Sequence, residues 1–376
     1  MVGASIIIPC KEIDRYTLQC VEACNHLDYD GEVEAIVVPD RYREVEGARV
    51  IPSGPVSPGA KRNLAMRSAK GEVFAFIDSD AYPRQDWLKN AVRRLGEADA
   101  VGGPAVTPPS DSFAQTAGGC VLSSPLMGGL SSRYKPSPDS SSVDLLHSVN
   151  FVVKRGVIEG VGGWDERYWP GEDTLLCAKL RAEGKRLLHA GDVVVYHHRR
   201  PLFRAHAKQV GAYGLYRGYF ARKYGDGFVR PIYFAPAALV AYLVAGAASC
   251  ALFPPFLPLY AASLIAYGLA SLVSSGLACG WGALGASPVA SEDEKGVGEV
   301  VGEAGAEKGE GLVREGGGAA AASGSPHPKP APSGIRPRPG AWGRAKLLAW
   351  VTAGTFLTHL VYGFEELKGF IWGVGK

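Results

Sequence analysis

Two consecutive stretches without a charged residue, Ile232–Phe253 and Phe256–Leu284, constrain this chain more than any other feature. A bilayer-crossing helix needs roughly 20 apolar residues, and each stretch is long enough. Helices buried in a globular core rarely stay uncharged for so long, so both read as membrane spans, joined by a hairpin at Pro254-Pro255. Leu347–Phe364 is a third candidate, with only His359 as a possible charge, cut short by Gly363, Glu365 and Glu366. Arg217, Arg222, Lys223 and Arg230 precede the first span, Arg344 and Lys346 precede the third, and Pro254–Pro258 has no basic residue. Basic flanks stay on the cytoplasmic side. The expectation is a multi-pass protein of the cell membrane, with residues 1–230 and 285–341 in the cytoplasm and the C-terminal tail outside. Ala4–Pro9 is too short an apolar run, too soon followed by charge, for a secretory signal.

The remaining organisation divides simply. Residues 1–230 form an α/β domain, 231–284 the membrane hairpin, 285–341 a linker, and 342–376 the third span and tail. Ser287–Gly340 is rich in Gly, Ala, Glu and Pro with almost no large apolar residues, and is expected to be disordered. In the first domain, short apolar runs alternate with helical patterns. Strands are expected at Ser5–Pro9, Val33–Val38, Val73–Ile77, Val149–Val153 and Val193–Tyr196. Helices are expected at Tyr16–Leu27, Ala60–Ala69, Gln85–Leu95 and Glu172–Glu183. That order implies a mainly parallel sheet with helices on both faces. Gly102–Ser142, rich in Gly, Ser and Pro, reads either as a loop that orders around a bound molecule or as a surface insertion.

Composition removes some functions. Net charge is +3 and no Lys/Arg-rich run occurs, which excludes a nucleic-acid partner of the basic-patch kind. Seven scattered cysteines carry no Cys-x-x-Cys or Cys/His spacing for zinc. Cys20 and Cys24, one helical turn apart, read as small core residues. The odd count, with cysteines in the apolar segments, fits reduced thiols on a cytosolic face.

Chemistry gathers at the ends of the strands, where open α/β sheets bind their ligands. Val73–Ile77, apolar throughout, stops at Asp78-Ser79-Asp80. If the backbone stays extended, both carboxylates face one point. Paired hard oxygens suit Mg²⁺ or Mn²⁺ carrying nucleotide phosphates, although Asp-Ser-Asp also forms turns. Ser5–Pro9 runs into Cys10-Lys11-Glu12, and Val33–Val38 into Pro39-Asp40, where a carboxylate can accept hydrogen bonds from a base or ribose. Gly59-Ala60-Lys61-Arg62-Asn63 opens a helix whose free N–H groups and two cations could meet a diphosphate. Glu172-Asp173 opens another helix, where acidic residues also answer the dipole. In His197-His198-Arg199-Arg200, alternation lets one histidine face the site, and His197 is the better candidate. The arginines serve either a phosphate or anionic headgroups.

The order of these pieces resembles the family 2 glycosyltransferases over about residues 4–225. A strand ends in Ile8-Pro9-x-x-Glu12, an Asp follows strand two, and Gly59-x-x-Arg62-Asn63 opens a helix. Gly71-Glu72-Val-Phe-Ala-Phe-Ile-Asp78-Ser-Asp80 and Gly163-Trp164-Asp165-Glu166 leading to Gly171-Glu172-Asp173 complete the set. The resemblance implies a nucleotide-diphospho-sugar transferase (GT-A) fold and an inverting transfer. It would have Pro9, Glu12 and Asp40 hold the nucleoside, with Arg62 and Asn63 near the diphosphate, to which the helix opening adds Lys61 and the strand end Arg200. Asp78 and Asp80 would be the metal-binding Asp-x-Asp pair, Asp80 on the metal directly and Asp78 on the ribose or metal-bound water, with His197 a further ligand as in some relatives. Asp173, beside Glu172, would be the catalytic base. Lys11 stands where the family usually has Asn, and Pro39 replaces a first Asp.

The donor implied is a nucleotide-diphospho-sugar, and the acceptor a lipid-linked molecule or glycan at the membrane surface. Processive members carry Gln-x-x-Arg-Trp after the base. Here Gln209 is followed by Val210-Gly211-Ala212-Tyr213, which favours single-sugar addition. A polyprenyl-phosphate sugar synthase, a nucleotidyltransferase and a non-catalytic membrane scaffold are the alternatives.

Overall fold

The computed structural model describes residues 2–127, 131–225, 227–280 and 341–374. Most of the expected linker, 285–340, lies outside the described residues. The strands are β1 (Ala4–Pro9), β2 (Val33–Val38), β3 (Arg49–Val50), β4 (Val73–Ile77), β5 (Ala81–Pro83), β6 (Ala100–Gly102), β7 (Ala105–Val106), β8 (Ser140–Ser142), β9 (Asn150–Lys154), β10 (Leu187–Ala190) and β11 (Val195–His197). The helices of the first domain are α1 (Arg15–Asn25), α2 (Pro58–Met66), α3 (Trp87–Arg94), α4 (Phe113–Leu122), α5 (Arg155–Gly160), α6 (Glu172–Ala182) and α7 (Arg204–Tyr224). α8 (Ala235–Leu252), α9 (Leu257–Ala278) and α10 (Ala341–Trp372) follow.

An eight-stranded sheet runs β3-β2-β1-β4-β9-β6-β10-β8. Its heart, β2-β1-β4, is parallel and β1 and β4 are wholly buried, the one polar side chain, Ser5, donating to Glu34 at 2.6 Å. Alternation divides the core. Ile6, Ile8, Ala75 and Ile77 face α1 and α3, while Ile7, Phe74 and Phe76 face α2, α6 and Trp164. The sheet is not uniformly parallel. β9 runs against both β4 and β6, because the chain reaches it from the Gly102–Ser142 region rather than by a simple crossover.

That region is not a plain loop. It holds β7, β8, two 3-10 turns and α4, whose start is fixed by a Ser112–Gln115 capping box. A second, small sheet β5-β11-β7 sits beyond the end of β4. Antiparallel pairing sets His197 opposite Ala81, next to Asp80.

α8, α9 and α10, with the short turns preceding the first two, are long and apolar enough to cross a membrane. α10 exceeds its expected span: Gly363, Glu365 and Glu366 do not end it. Gly363 lies against the backbone of Pro236 and Ala237 in α8, where any side chain would collide. Beyond it, α10 lies on α7 through glycines. A Cβ on Gly214 would meet the Tyr362 carbonyl, one on Gly218 the Glu366 carbonyl, and one on Gly369 the Leu215 carbonyl. Small residues at such spacing let helix backbones touch. The third apolar helix is therefore seated on the last helix of the α/β domain.

Candidate active site

Helix α2 places three consecutive polar side chains against other elements. Ser57 caps it, accepting from the Ala60 amide, and Pro58 stands in its first turn. Gly59 permits the close seat, since a Cβ there would lie 2.5 Å from the Asp165 carbonyl. Lys61 Nζ donates to Asp40 Oδ1 at 2.5 Å and to Ser53 Oγ at 3.0 Å. Asn63 clasps the Gly163-Trp164 loop: its Nδ2 donates to the Trp164 carbonyl (2.9 Å) and Glu166 (2.8 Å), and its Oδ1 accepts from the Trp164 amide (2.9 Å).

Arg62 is 2% exposed. One Nη donates to Asp78 Oδ1 at 2.8 Å, the other to Glu172 Oε1 at 2.9 Å. Its guanidinium lies 4.6 Å from the Trp164 ring centroid. Arg62 thus does not point outward as a diphosphate ligand would. It knots the end of β4 to the start of α6. Burial opposes the charge on Arg62, but Asp78 and Glu172 outweigh it. Burial likewise pushes the Glu172 carboxyl up.

Asp78-Ser79-Asp80 is a turn rather than extended backbone, closed by the Ala81 amide donating to the Asp78 carbonyl at 3.0 Å. The two carboxylates consequently take different partners. Asp78 faces Arg62. Asp80 Oδ1 lies 3.3 Å from His197 Nε2 and Oδ2 lies 3.1 Å from Arg200. Burial pushes the Asp80 carboxyl up, but His197 and then Arg200 prevail and hold it at about 2. His198 points away, its ring nitrogens on Asp111 (2.5 Å) and Gln19 (3.0 Å). Among the described residues no group of three or more His, Cys, Asp or Glu side chains is assembled for a metal. Asp80 with His197 is a two-residue set. Such a set needs further oxygens from a ligand, as Mg²⁺ commonly takes from phosphates.

Asp173 lies at the first turn of α6, where acidic charge is favoured. Its Oδ1 accepts from the Thr174 amide at 2.7 Å, and its Oδ2 lies 3.5 Å from His147 Nδ1. Burial pushes its carboxyl up, but His147 and the Thr174 amide more than cancel this and hold it below the usual range. Burial and the nearby Arg133 push His147 down. Glu12 is exposed beyond the buried Pro9, and the Asp40 amide donates to the Lys11 carbonyl, tying the ends of β1 and β2 together. Trp164 is a core residue under Arg62, and Trp169 is 64% exposed.

Sequence reasoning overlooked His147 and Arg133. Arg133 Nη1 lies 2.6 Å from His147 Nε2, extending a line from Asp173 through His147. The available signal was His147 itself, a lone imidazole in the turn before β9.

Residues 5–119 match the glycosyl transferase family 2 profile. Among curated proteins, the chain is 28% identical over 188 residues to the pre-mycofactocin glycosyltransferase of Mycobacterium tuberculosis, covering 50% of this chain and 39% of that one. The chain thus spans well under half the length of that relative. It is 24% identical over 243 residues to a dolichyl N-acetyl-alpha-D-glucosaminyl phosphate 3-beta-D-2,3-diacetamido-2,3-dideoxy-beta-D-glucuronosyltransferase of Methanococcus voltae, covering 58% and 74%. Among solved structures, a mannosyltransferase of Pyrobaculum calidifontis in complex with GDP-Man and Mn²⁺ aligns over 74% of this chain and 87% of that one, with 19% identity and a TM-score of 0.46.

Proposed function

We propose that this member of glycosyltransferase family 2 moves a single sugar from a nucleotide-diphospho-sugar to an acceptor presented at a membrane surface, with inversion at the anomeric carbon. The observation that carries the reading is the Arg62 knot. Asp78 and Glu172, 94 positions apart in sequence, both bond one buried guanidinium, so the end of β4 and the start of α6 converge.

Asp80 and His197 fit a divalent cation in donor chemistry, as a carboxylate and an imidazole 3.3 Å apart. A cation bound there would neutralise the diphosphate as it leaves. Arg200, 55% exposed at its side chain and already turned to Asp80, adds positive charge for the same leaving group. Glu12 and Asp40 lie beyond β1 and β2, where a nucleoside would be held. Lys61 fixes the Asp40 carboxylate in place. Arg62 and Asn63 act through others: Arg62 orients Asp78 and Glu172, and Asn63 holds the Gly163-Trp164 loop.

Asp173 is the base. An inverting transfer needs one carboxylate to take the proton of the attacking hydroxyl. Asp173 is kept ionised by His147 and the Thr174 amide despite its burial. The basic residues before α8 and α10 and their absence between α8 and α9 support an orientation with the α/β domain on the cytoplasmic side. Residues 1–230, the α8–α9 hairpin and α10 are parts of one anchored enzyme, with α10 seated on α7.

The test is a set of nucleotide sugars scored by thermal stabilisation with Mn²⁺ and by release of nucleoside diphosphate. One of them should stabilise the wild type in a Mn²⁺-dependent manner, and Asp80→Ala should lose that effect. Release of pyrophosphate instead, or no stabilisation by any of them, would end this reading.

A further inference from the structure

Beside Asp173, between the turn holding His147 and the start of α8, lie Arg133 and Arg217, two arginines without an ion pair among the described residues. Arg133 contacts His147 at 2.6 Å. Arg217, on α7, stacks 4.5 Å from the centroid of Tyr233, in the turn that opens α8. The carboxylate charge felt by Arg133 is that of Asp173, and Arg217 in turn acts on the buried Glu366 of α10. Arg217 adds to the burial that already disfavours charge on Arg133.

His189, on β10, supplies a second and independent sign. It is 8% exposed, and its buried Nε2 has no hydrogen-bond partner. Burial, with Arg133 and His147 nearby, pushes it down to about 4. Buried polar nitrogens are nearly always satisfied, and a buried cation nearly always has a counter-charge. Two arginines outside any ion pair, beside an unsatisfied buried imidazole nitrogen, point to an anionic group that belongs there.

We infer that Arg133 and Arg217, with His147 and His189 behind them, bind the phosphate of a lipid-linked acceptor, holding it against Asp173 at the mouth of α8. This rests on the sugar-transfer reading above and names the anionic group of its acceptor. A phosphate suits paired arginines because their N–H forks match its oxygens. The Tyr233 ring under Arg217 opens a membrane helix, so a headgroup reaches the cluster without leaving the bilayer surface.

The experiment uses the full chain in lipid nanodiscs with three probes: farnesyl phosphate, farnesol and inorganic phosphate. Farnesyl phosphate should bind at least tenfold tighter than either of the other two. Arg133→Gln and Arg217→Gln should each weaken it about tenfold, and Arg217→Lys should recover part of the loss. Nucleotide-sugar stabilisation with Mn²⁺ should stay as in wild type in all of them, which also reports that each variant is folded. Equal binding of farnesol removes the phosphate from the proposal, and equal binding of inorganic phosphate removes the lipid. Unchanged farnesyl phosphate binding in the Arg133→Gln, Arg217→Gln double variant overturns the site. A wild type that binds farnesyl phosphate but no nucleotide sugar would instead refute the sugar-transfer reading and leave this site standing.

Discussion

Removing Arg62 tests the knot most directly. In Arg62→Met, Asp78 and Glu172 lose their shared cation, but not on equal terms. The Asp78 side chain is 31% exposed and can be hydrated, whereas that of Glu172 is 5% exposed and cannot. Taking one partner from a buried ion pair costs about 3–5 kcal/mol. Because Asp78 escapes most of the penalty, we expect the lower end, about 3 kcal/mol. For a domain of this size that is a fall of roughly 6–12 °C in melting temperature. Glu172 also gives the loss a pH signature. A carboxyl pushed up in the folded state carries its penalty above its unfolded value of 4.5 and sheds it as pH falls towards that value. The deficit should therefore be larger at about pH 7.5 than at about pH 5, as protonation relieves the orphaned charge. Differential scanning fluorimetry of the detergent-solubilised chain at the two pH values reads both effects. The double variant Arg62→Met, Glu172→Gln should recover a large part of the loss at the higher pH. A drop smaller than about 2 °C, no dependence on pH, or no recovery in the double variant would refute Arg62 as the buried clamp.

Asp173→Asn should bind donor normally and slow transfer by about 10²–10⁴-fold, checked by product formation against nucleotide-sugar binding. His147→Ala should move the acid limb of the transfer rate to higher pH. Burial still pushes the Asp173 carboxyl up, while the group that most opposed it is gone, so more of the base is protonated at a given pH. Gly214→Leu, whose side chain would enter the Tyr362 backbone, should free α10 from α7 and cost about 1–3 kcal/mol. Limited proteolysis between the α/β domain and α10 would report it, with donor binding retained.

The sequence revealed the sheet well where physics leaves one solution. Val73–Ile77 and Val33–Val38 are strands over the expected residues, because runs of five or six residues rich in Val, Ile and Phe between turn signals are too short for a helix. The first two apolar helices are legible by length too, each run being long enough to cross a bilayer. α7 was not. Its buried positions include Gly211, Gly214 and Gly218, so the stripe that packs it is made of absent side chains, which a hydrophobic period cannot register. α4 was hidden in a run rich in Gly and Ser, although its Ser112–Gln115 box was a readable start.

The site divides along a similar line. Residue types were legible at each strand end, but partner choice was not, because it depends on contacts across about a hundred positions. Arg62 read as a cation at a helix opening, free for a phosphate; only the approach of α6 reveals that its charge is spent on Asp78 and Glu172. The same approach explains why the acids of the β4 turn diverge. With Asp78 drawn to Arg62, Asp80 remains with His197 and Arg200, so the two carboxylates sit in different ion pairs, and we propose a separation of roles in which Asp78 is structural and Asp80 meets the ligand. If that separation is right, Asp78→Asn should lower stability more than donor binding, and Asp80→Asn should do the reverse. Melting temperature and Mn²⁺-dependent donor affinity, measured on both variants, would expose an exchange of the two roles.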